Sequence, residues 1–132
     1  MNEKSETQQV ILIYNGDSGL VAALAHAAKK LRGIEECDLC EITYSATGKR
    51  SSWTECARNI PIPIEELHRN EVPPAWGLRE LPCVVLARNG ELLSILLDAK
   101  EIRACNRDPK TLSERIRHAL DQSKSVALEA RQ

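Results

Sequence analysis

The chain has 132 residues, enough for one hydrophobic core and too few for two, and its 18 basic and 19 acidic residues leave a formal net charge of −1. A balance so near zero supplies no field to draw in a phosphate backbone or an anionic lipid surface, which argues against nucleic-acid and membrane partners. The polar start carries no secretory or membrane-spanning run, so the expectation is a cytoplasmic protein whose five cysteines are reduced, with a core of Leu, Ile, Val and Ala because Phe is absent.

Residues 1–9 read as a flexible leader, 10–122 as one domain, and 123–132 as an extension or tail of the last helix. Residues 10–14, Val-Ile-Leu-Ile-Tyr, form a short β-branched apolar run stopped by Asn15, Gly16, Asp17, Ser18 and Gly19. That is the pattern of a central strand buried on both faces. Leu20, Leu24, Ala27, Ala28 and Leu31 then recur at helical spacing, with Asp17 or Ser18 as cap and Gly33 as stop. Residues 37–44 alternate well enough to predict a second strand, which would complete a parallel strand-helix-strand unit with the first. Residues 51–58 predict a short helix with a Ser cap. Residues 60–80, interrupted by Pro61, Pro63, Pro73 and Pro74, predict a loop with one extended piece over 62–67. Residues 81–87 and 91–97 are two apolar runs joined by Arg88-Asn89-Gly90, the strongest short hairpin signal. Asp108-Pro109 opens a final helix striped by Leu112, Ile116, Ala119 and Leu120. The resulting order, β-α-β-α-β-β-α, is that of an α/β domain of thioredoxin-like architecture, a central mixed sheet flanked by helices.

Tyr14-Asn15-Gly16-Asp17-Ser18-Gly19-Leu20-Val21 resembles the signature of the DCC-type thiol-disulfide oxidoreductases, a thioredoxin-like family. Tyr14, Gly16 and Asp17 match, whereas Ser18 and Val21 stand where that family has its two cysteines. Leu81-Pro82 before a strand resembles the cis-proline loop of thioredoxin-like proteins. Cys37, Leu39, Cys40, Thr43 and Tyr44 are similar to a second pattern, in a bacterial group that opens with Tyr-Asn-x-Asp-Ser-Gly. The resemblance implies the thioredoxin-like fold; the substitutions imply that ordinary dithiol exchange is lost at Ser18, because a hydroxyl supplies no accessible thiolate and Val21 cannot resolve a mixed disulfide.

Cys37 and Cys40 form the sole Cys-x-x-Cys and are open to three readings: a redox pair, half of a metal site, or two structural thiols. Read as the start of strand two, they would lie at the opposite end of the sheet from Ser18, about 15 Å away. Cys83, beside Pro82, would sit within reach of Asp17 and Ser18 in a field favouring thiolate, or simply begin a buried strand. Cys56 reads as a packing residue and Cys105 as a surface thiol in a polar loop. Residues 65–71 gather Glu65, Glu66, His68 and Glu71, with His68 a metal ligand or base near Tyr44, or part of a solvated loop. Trp53 and Trp76 are candidates for a partner surface or for core. The leading expectation is a binding or regulatory module for a small molecule or partner protein, without a cofactor, using Asp17, Ser18, Tyr44, Pro82 and Cys83. The alternatives are a thiol-disulfide oxidoreductase using Cys37 and Cys40, and a metal-binding protein using Cys37, Cys40 and His68.

Overall fold

A computed structural model describes residues 8–16, 38–45 and 48–131. The elements in chain order are β1 (Gln8–Tyr14), α1 (Asp38–Thr43), β2 (Tyr44–Ser45), β3 (Gly48–Lys49), α2 (Ser51–Ala57), β4 (Ile64–His68), β5 (Cys83–Arg88), β6 (Glu91–Leu97), α3 (Ala99–Arg103) and α4 (Pro109–Arg131). Two short 3-10 turns, Arg69–Glu71 and Pro74–Trp76, lie between β4 and β5. The helix expected over residues 20–31 lies outside the described residues.

The main sheet is a four-stranded mixed one in the order β4-β1-β5-β6. β1 runs parallel to β4, with Val10 beside Ile64 and Tyr14 beside His68, and antiparallel to β5, with Ile13 beside Cys83. The β-branched run of β1 is buried throughout from Val10 to Tyr14, as a strand with both edges paired and both faces covered must be. Alternation divides its side chains. Val10, Leu12 and Tyr14 face a core made with Leu39 and Ile42 of α1, Trp53 of α2, and Leu112, Ile116 and Leu120 of α4. Ile11 and Ile13 face the other way, with Cys83, Val85 and Ala87, under Leu67, Val72, Trp76, Leu78, Leu81 and Leu92. Each large aliphatic chain buried in this way stabilises the fold by roughly 1.5–3 kcal/mol.

The hairpin forms as expected. Asn89 at φ 52° and Gly90 at φ 83° both adopt the left-handed conformation that a two-residue turn with the right twist requires. The stripe of α4 also faces the core as expected, with Ala119 packed at its margin.

The strand expected over 37–44 does not form in the described part of that stretch. Residues 38–43 form α1, and Tyr44 and Ser45 are extended, pairing with β3 in a separate two-stranded ribbon. Leu39, Ile42 and Thr43 are wholly buried, and spacings of three and four residues set them on one helical face. A strand would have sent Leu39 and Ile42 to opposite sides. The parallel partner of β1 is instead β4, within the stretch where only an extended piece was expected. α2 starts at Ser51 with Arg50 as its N-cap residue and no side-chain cap. Residues 98–105 hold α3, whose Asp98 accepts from the Glu101 N–H at 2.8 Å while Glu101 accepts from the Asp98 N–H at 3.0 Å. That reciprocal cap fixes the turn that buries Ile102 and Cys105. Cys105 is therefore core, its thiol donating to the Glu101 carbonyl at 3.5 Å, and not a surface group.

Trp53 belongs to the core as well, only 2% exposed, which removes it from any partner surface. Trp53→Ala is expected to destabilise the protein by about 3–5 kcal/mol, measured by urea unfolding, and the native fluorescence of Trp53 to be blue-shifted relative to that of the unfolded chain.

Candidate functional site

The chemistry-bearing side chains converge where β1 and β4 end together. After Tyr14 the chain bends at Asn15 and Gly16, and the Gly16 carbonyl accepts from the Arg69 N–H at 2.8 Å, which ties the two strand ends to each other. α1 closes over the same place. The Tyr14 hydroxyl lies 2.9 Å from Thr43 Oγ1, and Thr43 Oγ1 donates to the Leu39 carbonyl at 3.1 Å. Because the single threonine proton goes to that carbonyl, Tyr14 is the donor to Thr43. Both residues are buried, so the pair anchors the helix to the strand end.

Around this anchor stands a second, wetter layer. The Tyr44 ring meets Tyr14 edge-on at 6.0 Å between centroids. Its hydroxyl donates to Glu66 Oε1 at 2.7 Å, while Lys49 Nζ pairs with Glu66 Oε2 at 2.9 Å and lies 5.7 Å from the Tyr44 ring centroid. On the neighbouring flank the His68 ring lies 5.8 Å from that of Tyr14. Glu71 Oε1 accepts from the His68 backbone N–H at 2.7 Å and sits 3.0 Å from His68 Nδ1. Those two hydrogen bonds, the backbone one foremost, hold the Glu71 carboxyl below the usual carboxylate range. A carboxylate partner makes Nδ1 the ring nitrogen that donates to Glu71. The His68 and Glu71 side chains are each partly open to solvent, 43% and 42%, as is that of Lys49 at 45%.

The head of β5 lies at the same end of the sheet. The Leu81-Pro82 peptide is cis, Pro82 is buried, and it stands one residue beyond the last pair joining β1 to β5. Cys83 faces the opposite side of the sheet from Tyr14. Burial pushes its thiol up to about 11, and Cys83 is the buried start of a strand. Cys105 is raised by burial too.

Of the expected site residues, the structure gathers Tyr44 and His68 around Tyr14 and sets Pro82 at the same sheet end. Asp17, Ser18 and Cys37 lie outside the described residues. Cys40 lies on α1. The separation of about 15 Å argued from strand geometry therefore does not apply, since the helix carrying Cys40 bonds to the end of β1 through Thr43. Among the described residues, no group of three His, Cys, Asp or Glu is placed to hold a metal ion, and no helix is long and apolar enough to cross a membrane.

Sequence reasoning had not singled out Thr43 as a site residue, nor Lys49. Glu66 and Glu71 were noted only as part of a charged stretch, although His68-x-x-Glu71 has the spacing of a reciprocal cap. Compared with protein-family models, with curated proteins and with solved structures, the chain matches none.

Tyr14→Phe removes its bond to Thr43 and is expected to cost about 1 kcal/mol, whereas Thr43→Val also removes the bond to the Leu39 carbonyl and costs about 1–3 kcal/mol. In a double-mutant cycle read by urea unfolding, the two losses should be less than additive.

Proposed function

We propose that this chain is a thioredoxin-like domain that has given up the standard dithiol and serves as a cytoplasmic binding or regulatory module for a small molecule or partner protein. Its contact face lies where β1 and β4 end beside the head of β5. The observation that carries the reading is the strand order β4-β1-β5-β6, with β4 parallel to β1, β5 antiparallel to β1 and β6 antiparallel to β5. That order is the one a thioredoxin-like core uses, and it leads from Tyr14 through the bend directly to Asp17 and Ser18.

The chemistry at this face favours recognition. Tyr44, Glu66, Lys49, His68 and Glu71 offer ring faces, one ammonium and two carboxylates within a small area. By the sequence resemblance, Ser18 stands where the DCC-type oxidoreductases have a cysteine. A net charge of −1 keeps nucleic acid out of this reading.

Restoring the missing thiols tests the placement. In the Ser18→Cys, Val21→Cys double variant, dithiothreitol-driven reduction of insulin disulfides is expected to rise well above the wild-type rate, because the new pair would sit at a strand-to-helix junction that lowers thiol pKa. A double variant that folds, forms its disulfide and still shows no more activity than wild type would remove the thioredoxin-like assignment of this junction.

A second reading, disulfide exchange through Cys37 and Cys40, gains from the finding that Cys40 lies on a helix bonded to the end of β1. In that case mild oxidation should remove about 2 Da from the intact mass, reversibly, and Cys37→Ser should abolish the change while Cys83 stays unmodified. The metal reading with His68 would be revived only by stoichiometric metal, in protein purified without added metal, that disappears in Cys40→Ser.

A further inference from the structure

An asparagine followed by glycine is open to attack by its own backbone, because the nitrogen of a residue without Cβ is unscreened. The chain has two such pairs, Asn15-Gly16 and Asn89-Gly90, and their settings differ. Asn15 and Gly16 are half-buried, and the Gly16 carbonyl is tied to the Arg69 N–H at 2.8 Å across the ends of β1 and β4. Asn89 and Gly90 are both exposed, at the tip of the β5-β6 hairpin. That tip holds only two pairs, Ala87 with Leu92 and Arg88 with Glu91, before a shift of register separates it from the rest of the ladder. At Asn59, by contrast, the following nitrogen is already engaged, the Ile60 N–H donating to the Ala57 carbonyl at 3.0 Å. Asn89 has φ 52°. A left-handed residue, with ψ of about 47°, turns the next nitrogen away from its own side chain, so the closed turn keeps the reacting atoms apart.

We propose that Asn89 is a site of spontaneous backbone modification, reached when the hairpin tip opens. The Gly90 nitrogen gives up its proton and bonds to Asn89 Cγ, while the side-chain nitrogen takes up a proton and leaves as ammonia. Water then opens the resulting cyclic imide at either carbonyl. Opening at Cγ leaves aspartate; opening at the main-chain carbonyl leaves isoaspartate, whose backbone runs through Cβ. No atom is oxidised or reduced. Isoaspartate puts an additional rotatable bond and a carboxylate into a two-residue turn that needs positive φ at both positions. Because the turn sets the register of a hairpin, the two tip pairs then come apart. The pairs beyond the shift, from Leu86 with Ser94 inward, are kept by the burial of Leu86, Leu96 and Leu97.

The folded chain, held at mildly alkaline pH below its unfolding transition, tests the proposal by peptide mass. The peptide carrying Asn89 is expected to gain about one dalton, amide becoming carboxylate, and to accept a methyl group from an isoaspartyl methyltransferase. The peptide carrying Asn15 should stay unchanged over the same interval. Asn89→Gly, which also suits a turn with positive φ at both positions, should fold as wild type and lose the label. In urea sufficient to unfold the chain, conversion of Asn89 should speed up by roughly tenfold or more, since the turn no longer restrains it. In the converted protein, hydrogen exchange should rise at Arg88 and Glu91 and stay unchanged along β1 and β4. An Asn89 peptide that stays intact, an Asn15 peptide that converts as fast, a rate indifferent to urea, or unaltered exchange at Arg88 and Glu91 after conversion would each overturn it.

Discussion

Everything in this molecule is arranged around the burial of β1. A strand paired on both edges and covered on both faces sends none of its backbone N–H or C=O groups to water, so each must be met by a neighbour, and β4 and β5 meet them. The requirement dictates the rest of the layout. The parallel neighbour forces the chain to cross from one end of the sheet to the other, and α1 and α2 lie within that crossing and pack on one face. The antiparallel neighbour needs only a tight hairpin to supply β6. With no phenylalanine available, two aliphatic clusters plus Trp53 carry the packing, and the polar groups are left to gather where the strands end.

How much of this was legible follows from how each element encodes itself. β1, the Asn89-Gly90 hairpin and α4 could be read because their local pattern and their tertiary role agree: a continuous β-branched run, two residues that tolerate positive φ, a stripe at helical spacing. α1 failed because in six residues the periods of two and of three to four are nearly indistinguishable, and only the common burial of Leu39, Ile42 and Thr43 decides between them. β4 was seen only as an extended piece, since Glu65 and Glu66 mark it as polar, which is what an outer strand uses to protect itself. α3 was legible in principle, as Asp98-x-x-Glu101 is a reciprocal cap, but nothing long follows it to draw attention.

The site divides along similar lines. Tyr44, His68 and Pro82 were visible as residue types worth watching, and each lies at the end of the sheet where β1 stops. What the sequence did not contain was the pairing: that Glu66 holds Tyr44 and Lys49, that Glu71 orients His68, that Thr43 receives the proton of Tyr14. These contacts join residues up to 29 positions apart and come into being only when the crossing is complete. Cys83 shows the reverse case. Its neighbourhood in sequence suggested reactivity, whereas alternation along β5 turns it away from Tyr14 and into hydrocarbon.

The direction of the hydrogen bonds at the strand end has a consequence for selectivity. Both phenols point their protons inward, Tyr14 toward Thr43 and Tyr44 toward Glu66, and His68 Nδ1–H is directed at Glu71. Under the proposed binding role, a guest would meet lone pairs and π-clouds here, with the Lys49 ammonium already engaged by Glu66. Amines, amides and guanidinium groups would then find complementary company, whereas a carboxylate or phosphate would have to displace that contact before Lys49 could hold it.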